Sequence, residues 1–318
     1  MAFYDFFLRY YNYRPFRSKI LNKIVGNLTK KTGFIIRCIL PWYFNHSFVN
    51  KNRNTSDVIV SFTSFPLRIE YCWLAVECML RQTVLPQKIV LYLSKEQFDG
   101  FDSLPQRLKK YVPEYLVIRW VDGDIKSHKK YWYAIKDFPN ERLVIIDDDL
   151  IYPSTLLENL LDASIKYPNC VISNYWHEIQ WDENGCVLPY SKWNSHKVNY
   201  SNCCDCDNIF FGSGGGTLLP SGSLKDADQS FNTLRSCCPL ADDIWLNAIV
   251  RKNRFKIIGL SYNNGMLSWK IDNNVTLSDI NNGKKFNDEQ LLLVIKLFEE
   301  LFDVNPFSRG IYKYKGIY

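Results

Sequence analysis

Three consecutive carboxylates, Asp147, Asp148 and Asp149, close the apolar run Val144-Ile145-Ile146. Like charges held side by side raise one another's pKa and resist ionisation, a penalty that a bound divalent cation removes. Alternation along a strand sends Asp147 and Asp149 to one side and Asp148 to the other. Hard oxygen ligands at this spacing suit Mg2+ or Mn2+, with water and phosphate oxygens completing the shell. The competing reading is an acidic surface turn that caps the helix after Pro153. A second acidic pair, Asp242-Asp243, precedes an apolar helical run. Capping accounts for one carboxylate before that helix and does not need two.

Other groups cluster where an anion could sit. Lys126-Ser127-His128-Lys129-Lys130, with Asp124 just before, falls between a strand end and a helix start. Helix starts favour acidic residues, so lysines there point to an external anion held with the orphan backbone N–H groups, against the plainer reading of a solvated basic turn. Thr63, Ser64 and Arg68 follow the first strand and offer hydroxyl and guanidinium donors, or simply cap a loop. Gly212, Gly214, Gly215 and Gly216 give a backbone that a ligand can approach closely, or a tight turn. No Gly-Lys-Ser/Thr follows, and the spacing is not that of a dinucleotide fold. Cys203 and Cys206 with Cys237-Cys238 make a poor zinc site, because adjacent cysteines are awkward joint ligands. His128, His177 and His196 show no ligand spacing; His196 and Asn287-Asp288 are candidates for a further metal ligand. Trp176, Trp193 and Trp245 are core residues by default, with sugar stacking the alternative.

The elements that must position these groups begin at residue 57. Short apolar runs at 57–62, 88–94, 115–121 and 142–149 read as strands, separated by helices near 69–81, 104–111 and 129–136. A helix at 155–167, a strand at 171–174, a hairpin turning at Glu183-Asn184-Gly185, a helix opening at Asp242, a strand at 255–262 and a helix at 288–302 follow. Residues 191–208 are polar and long enough for a functional loop. The alternation predicts an α/β fold: a mostly parallel, Rossmann-like sheet with helices on both faces, and ligands outside the carboxyl ends of the strands.

Taken in order, SFTSFPLRI, KIVLYLS, VDGDIKSHKKYWYAI, VIIDDDLIYP, FGSGGGTLLPSGSL and CPLADDIWLNAI resemble the blocks of GT-A glycosyltransferases. The likeness covers about residues 57–262 and is similar to family 2 enzymes of bacterial surface-polysaccharide assembly, such as those of O-antigen and capsule. It implies an activated sugar donor, most often a UDP-sugar, bridged by Mn2+ or Mg2+ to Asp147 and Asp149, with Asp149 the direct ligand and Asp148 grouped with the donor-binding residues. Thr63, Ser64 and Arg68 match the loop that holds base and ribose. Asp124 would accept from the uracil N3–H, and Lys126, Lys129 and Lys130 would face the diphosphate. Gly214, Gly215 and Gly216 would wall the donor sugar or acceptor. Asp243 would be the base that deprotonates the acceptor hydroxyl, and Asp242 would cap the helix or touch the acceptor. The implied reaction is an inverting transfer to a glycan or lipid-linked glycan. A sugar nucleotidyltransferase is the rival enzyme, but SFTSFPLR is not its glycine-rich signature; an inactive scaffold is the non-enzymatic rival.

Composition adds the setting. The 318 residues are 47% apolar and carry a net charge of +6. Residues 1–56 hold ten basic residues and one acid, Asp5, a local +9; the rest sums to −3. A nucleic-acid binder should carry its charge on the folded body, so none is expected. Residues 1–55 therefore read as a basic, aromatic extension whose Ile20, Leu21, Ile24, Val25 and Leu28 recur at helical spacing, suited to the inner membrane surface. Residues 56–275 form the catalytic domain and 276–318 a packed helix and tail. Neither a secretory signal nor a spanning apolar stretch is evident, since Arg37 and Pro41 break the run at 34–44. The expected location is the cytoplasm, at the membrane face, with reduced cysteines.

Overall fold

The computed structural model describes residues 3–13, 16, 18–47, 53–195, 204–205, 207–228, 231–260, 265–269 and 286–311. Thirteen strands are seen among them: β1 (Ile59–Thr63), β2 (Lys88–Ser94), β3 (Val117–Val121), β4 (Leu143–Ile146), β5 (Leu150–Ile151), β6 (Val171–Ser173), β7 (Trp176–Glu178), β8 (Asn194–Ser195), β9 (Cys204–Asp205), β10 (Ile209–Phe211), β11 (Gly215–Leu219), β12 (Ile257–Gly259) and β13 (Leu267–Ser268). The longer helices are α1 (Phe3–Tyr11), α2 (Lys19–His46), α3 (Trp73–Leu80), α4 (Leu156–Lys166), α5 (Phe231–Cys237), α6 (Asp242–Lys252) and α7 (Phe286–Phe302).

Eight strands build one sheet in the order β3-β2-β1-β4-β11-β6-β12-β9. The first four are parallel, β11 runs antiparallel between β4 and β6, and β12 is again parallel to β6. Their continuous apolar runs have this cause: Leu143, Val144, Ile145 and Ile146 are all buried, as a sheet covered on both faces requires. One face carries α1, α2, α3 and α4; the other carries residues 129–137, α6 and α7. This is the expected α/β, mostly parallel, Rossmann-like architecture. A three-stranded sheet, β10-β7-β8, and the pair β5-β13 stand beside it.

Where sequence periodicity and structure part, the cause is local. The apolar run 88–94 coincides with β2, and the turn at 183–185 lies inside the Trp181–Val187 bridge, with Gly185 at φ 81°. Residues 66–72 form turns rather than the first part of the helix predicted over 69–81, which begins at Trp73. The helix predicted over 129–136 is split at Tyr133 into two short pieces after a 3-10 turn. Helix α7 packs on α6, with the Phe298 and Trp245 rings 5.6 Å apart.

The N-terminal segment is built into the core. Helix α2 runs 28 residues, capped at Ser18, and continues through Pro41 although proline removes a helical donor there. Leu40 and Phe44 flank that proline and are buried, with Tyr4, Leu8 and Ile36, in the cluster that includes β1 and α3. Each such side chain contributes roughly 1.5–3 kcal/mol gross, enough together to outweigh the proline. Arg81 adds a fastening: it donates to the Phe44 carbonyl at 3.1 Å and lies 4.7 Å from that ring's centre. No helix among the described residues is long and apolar enough to cross a membrane.

Candidate active site

The carboxylate triplet leaves the sheet as soon as β4 ends. Because the strand stops at Ile146 and residues 148–149 turn, the expected alternation does not govern where these side chains go. Asp147 turns to Lys130, whose ammonium lies 2.6 Å from Oδ1. Asp148 and Asp149 instead share one partner: Arg68 Nη1 is 3.1 Å from Asp148 Oδ1 and 3.0 Å from Asp149 Oδ2. Ser64 donates a further bond to Asp148 Oδ2 at 2.5 Å. The turns at 66–72 thus serve a purpose, for they bring Arg68 back over the triplet. Thr63 is committed elsewhere, donating to the Tyr92 carbonyl at 2.7 Å.

The second acidic pair opens α6 and faces the same cation. Lys130 Nζ is 2.9 Å from Asp242 Oδ2, so one buried ammonium joins the triplet to the pair. Asp243 Oδ1 accepts the Ser213 N–H at 2.7 Å and lies 2.6 Å from the Ser213 hydroxyl, which also stands 2.9 Å from Asp242 Oδ2. Burial alone would raise Asp242, but Lys130 and His128 outweigh it and hold it at about 2. Burial and the adjacent Asp242 charge push Asp243 up to about 7, against the pull of Lys130 and Ser213. Burial likewise raises Asp149, helped by Asp148 and Asp147 and opposed by Arg68. Asp149 and Asp243 are therefore both held above the ordinary carboxylate range.

The lysine cluster is arranged differently from an open anion site. Lys129 is buried and sits 2.6 Å from Asp124 Oδ1, with the Gln97 side chain at 3.3 Å; Lys126 also pairs with Asp124. Burial would raise Asp124, yet the two lysines bring it down to about 2. Lys129 and Lys130 are thus spent on internal carboxylates, and the Lys126 side chain is the half-exposed one. His128 is enclosed between the Tyr131 hydroxyl and the Cys238 carbonyl, and burial lowers it to about 4.

The glycine run is shaped by what packs on it. A Cβ on Gly214 would stand 1.7 Å from Asp147 Oδ2, and one on Gly215 2.2 Å from the Tyr175 Cβ. Gly216 has φ 92° and lies at the register shift where β11 meets β4. Tyr152 completes the corner: its hydroxyl accepts the Asp147 N–H at 2.7 Å and bonds the Gly214 carbonyl. Gly214→Ala should therefore dislodge Asp147 and cost about 1–3 kcal/mol. A melting temperature lowered by a few degrees in a thermal melt is the expected result.

Sequence reasoning passed over several residues here, His177 having been weighed only as a metal ligand. Ser213 was visible only as a spacer between glycines. Tyr175, His177 and Tyr190 are half-buried, with ring centres 5.1 and 5.8 Å apart in sequence order, and Tyr190 senses the Asp243 charge. Their signal was the aromatic density around the hairpin. Trp176, Trp193 and Trp245 are buried and donate to the carbonyls of Leu260, Leu188 and Ala227, so they are core rather than stacking groups. Asp288 Oδ1 accepts the Tyr190 N–H at 2.6 Å. His196, Cys203 and Cys206 lie outside the described residues, while Cys237 and Cys238 are buried free thiols.

Carboxylate oxygens are the donor type that a hard divalent cation takes. Five carboxylates at 147–149 and 242–243 face two cations, Lys130 and Arg68, an acidic excess that a bound divalent ion would relieve. Among the described residues no three ligating side chains converge on one point. A cation would thus be held by one or two carboxylates, with phosphate oxygens and water filling the rest, as Mg2+ commonly is.

No family model and no curated protein matches the chain. Among solved structures, a 4-diphosphocytidyl-2C-methyl-D-erythritol synthase is similar over 76% of this chain and 99% of its own, at 11% identity and a TM-score of 0.39. A TarS fragment from S. aureus, solved in complex with UDP, is similar over 78% of this chain and 72% of its own, at 13% identity and a TM-score of 0.47. Neither likeness bears on what this chain acts on.

Proposed function

We propose that the protein is a metal-dependent, inverting glycosyltransferase. It moves a sugar from a nucleotide-sugar, a UDP-sugar by resemblance, to a hydroxyl of a glycan or lipid-linked glycan in bacterial surface-polysaccharide synthesis. The observation that carries this reading is the Lys130 ammonium set between Asp147 and Asp242. It fastens a phosphate-and-metal type triplet to a proton-accepting pair within one cluster, as transfer between a donor and an acceptor requires.

Asp149 and Asp147 would hold Mn2+ or Mg2+, which when bound neutralises charge building on the leaving diphosphate. Arg68 holds Asp148 and Asp149 in place, and Ser64 fixes the buried Asp148. Ser213 engages Asp243 Oδ1 and so leaves Oδ2 for the acceptor. Asp243 takes the proton of the acceptor hydroxyl as that oxygen bonds to the anomeric carbon. The bond from this carbon to the phosphate oxygen breaks on the opposite side, and the nucleoside diphosphate departs with the electron pair. Tyr175, His177 and Tyr190 form an aromatic wall, its Tyr190 end within reach of the Asp243 charge, on which an acceptor sugar can stack. Lys126 is the half-exposed cation nearest Asp124 and is assigned to the donor's diphosphate or base.

Asp149→Ala should lose divalent-dependent nucleotide binding by roughly 100-fold or more. Titration of UDP with and without Mn2+ checks this, and unchanged Mn2+ dependence would remove the metal role. Nucleoside diphosphate release from a panel of sugar nucleotides distinguishes this reaction from nucleotidyl transfer, which releases pyrophosphate.

A further inference from the structure

We infer that the outward face of the α1–α2 hairpin docks on the headgroup region of an anionic lipid bilayer, with α2 lying in the plane of the surface. This rests on the proposed function only in giving the docked enzyme a lipid-linked acceptor to meet; the surface itself stands on separate observations.

The first is apolar exposure opposite the core. Ile20, Ile24, Leu28, Ile35, Ile39 and Trp42 are 42–74% exposed. At 3.6 residues per turn they fall within an arc of roughly 100° on α2, turned away from buried Thr29, Ile36, Leu40 and Phe44. Phe3, Phe6 and Tyr10 continue the surface on α1. Among the described residues, thirteen of the twenty exposed large apolar side chains lie within residues 3–42, so the exposure is concentrated on one surface rather than scattered. A shallow apolar groove between the helices is lined by Phe3, Phe7, Ile35, Ile39 and Tyr43 among others.

Charge decides the occupant. Residues 1–56 contain one acid, Asp5, and it is buried, accepting the Ser154 N–H at 2.8 Å and its hydroxyl at 2.6 Å. The outward surface therefore presents no carboxylate, while Arg9 and Lys23 are exposed on it. Apolar side chains flanked by uncompensated cations match an anionic leaflet, whose negative potential attracts basic residues near it. A second copy of the chain would bring the same +9 segment against itself and be repelled.

The test uses the full-length protein and co-sedimentation with phosphatidylcholine vesicles, with or without about a quarter phosphatidylglycerol. Binding should be at least about tenfold tighter on the anionic vesicles and weaken as salt is raised. Ile20→Glu/Ile24→Glu/Phe34→Glu, at exposed positions, should lower binding at least about tenfold while nucleoside diphosphate release from a soluble donor stays at the wild-type rate. Arg9→Glu/Lys23→Glu tests the same face should the first variant misfold. Equal binding to both vesicle types, wild-type binding by a folded variant, or a stable dimer dispersed by these substitutions overturns the proposal. Absent donor turnover with intact vesicle binding would instead overturn the catalytic reading.

Discussion

Asp243→Asn lowers the transfer rate by roughly 10²- to 10⁴-fold, the usual contribution of a positioned base, and leaves donor affinity near that of the wild type. The amide keeps the shape of the carboxylate and can still accept from Ser213, so the loss falls on proton transfer. The wild-type rate should also rise with pH through about 7, where Asp243 gives up its proton. The sign follows from the role: below that pH the carboxyl is protonated and cannot accept the acceptor's proton. The asparagine variant should lack this rise. Steady-state rates over about two pH units on either side, with saturating donor, check both points. A variant that transfers at the wild-type rate removes Asp243 from the mechanism.

Lys130→Met destabilises the fold by about 3 kcal/mol. Breaking a buried ion pair by removing one partner costs about 3–5 kcal/mol. The Lys130 side chain is 2% exposed and Asp242 12%, but Asp147 is 39% exposed and water screens part of its share, hence the lower end. Burial alone would neutralise Lys130; the carboxylates of Asp147, Asp242 and Asp243 keep it charged. For a chain of this size the expected fall in melting temperature is about 5 °C. Lys130→Met/Asp242→Asn should recover much of it, because an unpaired buried charge costs more than the absence of the pair. Thermal melts of the three proteins at neutral pH decide the matter; a double variant no more stable than the single one would place the lysine's role elsewhere.

Some of this was readable from residue order alone. Strands buried on both faces must be continuous runs of apolar residues, so β2 emerged with its own ends. The triplet and the second acidic pair stood out because clustered carboxylates are costly. What periodicity cannot carry is the partner of a side chain. Lys129 and Lys130 invite an external anion only until Asp124, Gln97 and Asp242 are seen to fold onto them. The triplet could not be oriented either, since alternation holds only while the strand lasts and β4 ends one residue earlier. The length of α2 was hidden by Pro41, whose local preference is overruled by packing on both sides of it.

The hairpin is also fastened to parts of the chain that are made long after it. Asp5 reaches Ser154, 149 residues away; Asn12 reaches the Met266 carbonyl across 254 residues, and Arg37 the Ser268 carbonyl across 231. At roughly 5–20 residues per second of synthesis, the last of these partners follows the hairpin by about ten seconds or more. Over that interval its inner side has only the earlier elements, β1 and α3 among them, to pack against, and its outer side has none. A nascent chain with this order of events gains from a bilayer or a chaperone close to the ribosome. Its yield in expression should therefore depend on which of these it meets first.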